Sequence, residues 1–247
     1  MVEDFKAAII GRGQEAIEQR LAQAASDIHT LVETYEPLAQ YDRITSAAAK
    51  EATPQGNQTL QAIAHSVTEH AAKTVTTLRD AEMFIYMHVP VVSDGNNFGV
   101  DVQLHAAKEL KDFRSQAEAM MRNLDAYLQA RGDALVKIMG SATSDIEKDT
   151  TTETTTKQEG EKQAERTEMQ KVLERKKETE KKSVVPQDYE KLVVALDVRH
   201  FYTFYHNLVD LRDICLRAED MCTKNLRRLQ DPRGEGAGGN RGVMSMF

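Results

Sequence analysis

The chain contains no tryptophan, two cysteines and five prolines, and aromatic residues make up 6% of its 247 positions. So few large rings are poor material for one deep globular core, since aromatic side chains carry much of the apolar area such a core buries. Thirteen glycines and five prolines are too few for an all-β chain, which needs turn residues every ~8–12 positions. Cys215 and Cys222 stand seven positions apart. On one helix that is about 10.5 Å of rise, beyond the ~7 Å over which a disulfide joins two Cα atoms. They read as free, buried thiols in a reducing compartment, the cytosol or nucleus.

Basic charge is also in short supply. Thirty-two Lys and Arg stand against 39 Asp and Glu, a formal net charge of −7, whereas phosphate binding needs clustered cations, so no nucleic-acid partner is expected. The longest apolar run, residues 83–92, is interrupted by His88 and Pro90 and falls far short of the roughly 20 residues that a membrane span needs. Met1, Val2, Glu3 and Asp4 open the chain without the basic start and apolar stretch of a signal peptide. No membrane partner is expected either.

Abundant instead are Ala, Glu, Gln, Leu, Lys, Arg and Met, the good helix formers. A chain with 40% hydrophobic and 29% charged residues suits long amphipathic helices that each bury a stripe. Four helices are expected, at about 2–35, 57–89, 100–139 and 186–230. The first carries Phe5, Ile9, Ala16, Leu21, Ala24, Ile28, Leu31 and Tyr35 on one face, with Gly11 and Gly13 weakening its first third. A linker at 37–56 follows, and Asn57 offers an N-cap side chain. The second helix shows Leu60, Ala64, Val67, Ala71, Thr74, Leu78, Ala81 and Ile85. Those alternating steps of four and three are the spacing of a bundle seam, and Pro90 stops it.

The third helix presents Ala106, Leu110, Phe113, Ala117, Met120, Leu124 and Tyr127 and runs on to Leu135 and Ile138. The fourth opens near Pro186, a good first-turn residue. It carries Tyr189, Val193, Leu196, Phe204, Leu208, Leu211, Cys215, Ala218, Cys222, Leu226 and Leu229, with Val194, Phe201, Tyr202, Tyr205 and Val209 off that stripe. A helix apolar on two faces is buried on two sides, either deep within one bundle or at a contact between subunits. Residues 141–185 are rich in charge of both signs and in Thr, the composition of a mobile insert. The Gly-rich 234–247 stretch reads as a flexible tail. The whole, 1–247, is expected to be a single all-α domain.

Reacting groups are not gathered anywhere. His65 and Glu69 share a helix face at i, i+4 with His70 beside them, but a third metal ligand or a nucleophile is missing. There is no phosphate-binding loop and no nucleophile elbow, so neither an enzyme, a cofactor nor a metal is expected. Arg131-Gly132-Asp133 lies inside a helix, and its likeness to an adhesion tripeptide is an accident. The unusual segment joins helices two and three. Asp94-Gly95 is turn chemistry, and Asn96 and Asn97 tolerate unusual backbone angles. Phe98, alone between Asn97 and Gly99, is expected to be pinned into the bundle end as an anchor. On physical grounds the segment is a plain connector or a functional loop on a rigid scaffold.

The string Pro-x-x-x-Asp-Gly-Asn-Asn-Phe-Gly-Val-x-Val-Gln over 90–103 resembles the activation loop of the 11S proteasome activator family, also called REG. Arg131-Gly132-Asp133-Ala134 with Lys137 is similar to the end of that family's third helix. Asp188-Tyr189, Leu192-Val193 and Leu196-Asp197 are similar to its region between helices three and four. Arg212, Lys224-Asn225 and Pro232-Arg233-Gly234-Glu235 continue the likeness, which is nearest to the alpha-type subunit. Val91 and Ser93 depart from the family, where a basic residue and an acid are common.

The resemblance implies an up-down-up-down four-helix bundle of long helices that assembles side by side into a ring. It implies an ATP-independent cap of the 20S proteasome, a homo-heptamer or hetero-heptamer acting in the cytoplasm or nucleus. Its implied site has two parts. One is an activation loop of Pro90, Asp94, Gly95, Asn96, Asn97, Phe98 and Gly99; the other is a docking tail ending in Met244, Ser245, Met246 and Phe247, which seats in the α-ring. Two readings from other classes stand beside it: an amphipathic helical protein of lipid surfaces, and a structural adaptor bundle without a gating role. In an up-down-up-down bundle the loop after helix two and the end of helix four fall at the same end.

Overall fold

The computed structural model describes residues 1–36, 57–92, 97–147 and 187–234, and all regular structure among them is helical. Seven helical pieces form four rods. The first rod is α1 (Val2–Glu15), a π-helical turn (Ala16–Arg20) and α2 (Leu21–Thr34). The second is α3 (Gln58–Met87). The third is α4 (Phe98–Met121) and α5 (Asn123–Glu147). The fourth is α6 (Gln187–Gln230), whose 44 residues span about 66 Å.

Two apolar clusters fill the bundle and show how the rods run. At one end, Ile17 and Leu21 meet Phe84 and Ile85, Ala106 and Leu110, and Cys222 and Leu229. At the other, Ile28 and Val32 meet Leu60 and Ile63, Tyr127, and Phe201 and Phe204. Numbers rise along rods one and three and fall along rods two and four, which is the expected up-down-up-down order. The expected stripe of α3 is buried throughout, Leu60 through Ile85. Its N-cap is Asn57, whose side-chain oxygen accepts from the Leu60 N–H at 3.0 Å.

Rod one departs from a plain α-helix. Its apolar stripe steps five residues from Ala16 to Leu21, and the Leu21 N–H donates to the Ala16 carbonyl, an i to i−5 bond that makes the step regular. Gly13 is a point of contact here rather than a weakness. A Cβ there would run into the Phe84 Cβ and lie 2.7 Å from the Asp80 carbonyl, so its bare backbone is what lets rod one close on α3. Arg20 then reaches Asp80 across the seam at 2.6 Å. Phe5, placed on the buried face by its spacing, is exposed, because the apolar clusters on this rod begin only at Ile10 and Ala16.

Rod three also differs from expectation. It starts at Phe98, breaks at Arg122 and extends to Glu147, taking the first residues of the expected 141–185 insert into a helix. Asn123 and Asp125 at the break are weak helix formers whose side chains compete for the backbone. Helix two ends at Met87, two residues earlier than expected, with His88 as its C-cap. The 37–56 linker, residues 148–185 of the expected 141–185 insert, Pro186 and residues 235–247 of the expected 234–247 tail lie outside the described residues.

The distal cluster holds a charged centre. The Asp197 carboxylate is buried and accepts from Tyr127 Oη at 3.0 Å, Arg131 Nε at 3.2 Å and Asn57 Nδ2 at 3.4 Å. One carboxylate thus ties the start of α3 and the middle of α5 to α6. Removing the carboxylate ends three hydrogen bonds at once, each made to a charged group and worth about 1.5–3 kcal/mol, whereas losing an N-cap costs about 1 kcal/mol. Asp197→Ala is therefore expected to lower stability to urea by several times more than Asn57→Ala. Equal losses in the two unfolding curves would show that the Asp197 carboxylate does not hold its three donors together.

Candidate functional site

Residues 91 and 98–99 meet the end of α6 and the chain leaving it at one end of the bundle, and a side chain from α4 joins them. Gln103 is fully buried one turn into α4, and its amide nitrogen Nε2 donates to the Leu229 carbonyl at 2.7 Å and to the His88 carbonyl at 3.0 Å. Both carbonyls belong to the ends of helices, where no further turn supplies a donor. One amide therefore closes the ends of α3 and α6 at once. The His88 ring stays on its own helix, Nδ1 lying 2.8 Å from the Phe84 carbonyl.

Gly99 is buried, and a Cβ on it would collide with the Pro232 carbonyl. No larger residue allows the first turn of α4 to lie so close to the chain leaving α6. This contact decides where Phe98 goes. Its ring is 61% exposed, contrary to the expected anchor in the bundle end, because the close approach of Gly99 and Pro232 leaves that space filled by backbone. The Arg228 guanidinium stands over the ring at 5.4 Å from its centroid, a cation–π arrangement.

On the other limb, Arg233 Nη2 donates to the Val91 carbonyl at 3.0 Å. Pro90 is partly buried, and Val91 and Val92 are exposed. Asn97 precedes α4 as its N-cap position, its carbonyl accepting from the Asp101 N–H at 3.0 Å. Of the site residues named from the sequence, Phe98 and Gly99 thus meet the end of α6 and the chain leaving it, and Pro90 and Asn97 are described as chain neighbours of such residues. Asp94, Gly95 and Asn96, and Met244, Ser245, Met246 and Phe247, lie outside the described residues. Gln103 closed the quoted string but was given no role. Its signal was a Gln at a position three residues before the buried Ala106.

Elsewhere the chemistry is quiet. Cys215 and Cys222 are free and buried, and burial pushes both thiols up, Cys222 to about 12. Glu69 is held below its usual range by its hydrogen bond to Lys73, with Nζ 2.6 Å from the carboxylate. Among the described residues no group of three or more His, Cys, Asp or Glu could hold a metal ion. No helix among them is long and apolar enough to cross a membrane.

A family model described as "Proteasome activator PA28, C-terminal" matches residues 53–143 and 140–239, so the chain belongs to the PA28 proteasome activator family. "Proteasome activator complex subunit 3" from Homo sapiens and from Gallus gallus are each 20% identical over 183 residues, covering 74% of this chain and 56% of the relative. The match thus spans little more than half the length of those curated relatives. In fold the chain is similar to the crystal structure of the 11S subunit of the Plasmodium falciparum proteasome, PA28. The TM-score is 0.58 at 18% identity, over 94% of this chain and 92% of that one.

Replacing Gln103 by Leu keeps the volume of the side chain but leaves the His88 and Leu229 carbonyls without its donors. Leaving buried polar groups unmet costs roughly 1–3 kcal/mol. Gln103→Leu is expected to lose that much in urea unfolding, and Leu104→Ala, at an exposed neighbour, to stay within about 0.5 kcal/mol. Indistinguishable curves for the two variants would contradict the clamp.

Proposed function

We propose that the chain is an ATP-independent activator of the 20S proteasome, acting as a ring-shaped cap. Residues 244–247 seat in the α-ring and the loop of Pro90 and 94–99 displaces the gate. The observation that carries this reading is the junction of Arg233 with Val91 and of Pro232 with Gly99, which brings the loop and the base of the tail to one end of one subunit. A cap that both docks and opens a gate needs those two parts on the face that meets its target. Family membership supports an activator role, and it favours this reading over a lipid-surface protein or an adaptor without gating.

The assembly we propose is a heptamer of identical copies, with a mixed heptamer as the alternative. Along α6, Leu192 and Leu216 are exposed and Tyr202, Tyr205 and Val209 are only partly covered. Apolar surface of this kind supports side-by-side packing of subunits. Oligomerisation also supplies affinity. A single short tail captured by its carboxylate and a few side chains binds weakly, and several on one ring raise the effective concentration of the rest. Acting on the proteasome, the protein works in the cytoplasm or nucleus. No cofactor, nucleic acid or membrane enters this mechanism.

Adding the pure protein to latent 20S proteasome is expected to raise cleavage of a short fluorogenic peptide. Binding without any gain in cleavage would favour the adaptor reading. Asn96→Tyr is expected to abolish stimulation while ring assembly and co-sedimentation persist, and full stimulation by an assembled Asn96→Tyr ring would remove the loop from the mechanism. Deleting residues 244–247 is expected to abolish co-sedimentation with the proteasome and leave the oligomer unchanged. Unchanged affinity after the deletion would remove the tail.

A further inference from the structure

Burial of side chains does little to hold residues 91 and 92, which follow the partly buried Pro90. Val91 and Val92 are 86% and 97% exposed, so their apolar groups fix nothing. The hold comes from the other rod, through the 3.0 Å bond from Arg233 Nη2 to the Val91 carbonyl. The leaving limb is held by the same rod, with Arg228 over Phe98 and Pro232 against Gly99.

Arg233 also occupies a special point on its own chain. Immediately after it, Gly234 adopts a left-handed φ of 71° and its N–H donates to the Asp231 carbonyl at 3.3 Å. Residues 231–234 are therefore a tight turn, with Pro232 braced on Gly99 inside it. Through Arg233 this turn joins the chain leaving α6 to the Val91 carbonyl.

We propose that Arg233 is a positioning residue that couples the two halves of the site. It holds the loop at Val91 in register with the base of the tail, so that seating the tail and placing the loop are one event. The inference rests on the proposed roles of loop and tail. The acceptor is a neutral carbonyl, so the interaction needs a donor of sufficient reach more than it needs charge. Lysine keeps a donor at this position and alanine does not. One hydrogen bond of this type is worth about fivefold in an equilibrium.

The test uses the full chain, latent 20S proteasome and a short fluorogenic peptide, with activator titrated in each series. Arg233→Ala is expected to lower maximal stimulation about fivefold and leave the concentration for half-maximal stimulation unchanged, because the tail still seats. Arg233→Lys is expected to regain most of the maximum. A second readout is independent of the proteasome. A nitroxide placed through Val92→Cys reports the limb selectively, since Cys215 and Cys222 are buried, and its spectrum is expected to sharpen in Arg233→Ala.

An unchanged nitroxide spectrum would overturn the latch. So would an unchanged maximum, or a loss matched by an equal rise in the half-maximal concentration, which would make Arg233 a docking residue. If the wild-type chain binds but does not stimulate, the proposed function fails and takes the coupling with it. A stimulating wild type with an equally stimulating Arg233→Ala chain overturns the coupling alone.

Discussion

Two rods of this bundle end side by side in a buried place, and helix ends carry carbonyls that no further turn can satisfy. The amide of Gln103 answers both, at His88 and at Leu229. The two hydrogens of one amide have a fixed spread, so the ends of α3 and α6 must lie within reach of a single side chain. That distance then governs its neighbours. It brings Pro232 against Gly99, which has no room for a Cβ, and with that space filled the Phe98 ring turns outward beneath Arg228.

A second polar centre sits at the opposite end, where Asp197 gathers Tyr127, Arg131 and Asn57. The two centres do for the bundle what its apolar stripes do less well. Stripes that repeat every three and four residues, with many alanines among them, leave neighbouring rods free to slip by a repeat at small cost. A buried carboxylate or amide resists such a slip, because a displacement takes Asp197 from its three donors and the His88 and Leu229 carbonyls from the Gln103 amide. Apolar burial supplies the attraction between rods, and the polar centres set their axial register. Register matters most at the loop end, where a shift of one turn, about 5.4 Å, would separate Arg233 from Val91.

The relatives make the same point from another direction. At 18% identity the Plasmodium falciparum 11S subunit shares the fold over most of both chains. What the two need in common is a pattern of stripes and stops, which many sequences satisfy. The 90–103 string is different in kind. It combines a glycine that admits close backbone approach with a glutamine that reaches two chain ends, and neither is readily exchanged.

Much of the bundle was legible in the sequence because its information is local. The α3 stripe is written in steps of three and four, and Asn57 announces a cap three residues before the N–H it meets. The order of the rods, and with it the meeting of the start of α4 with the end of α6, follows from counting antiparallel helices. Even the π turn stood in the sequence as the five-residue step from Ala16 to Leu21, though it was not read as one. The tertiary structure alone decided the rest, for one reason. A polar residue in a helix looks like part of a solvated face until its partner arrives. Gln103 meets its acceptor 126 residues away, Arg131 meets Asp197 across 66, and Arg233 meets Val91 across 142. Phe98 was misread by the same logic in reverse. An aromatic in a loop suggests an anchor, but its exposure is set by Gly99 and by a proline that arrives from the other end of the chain.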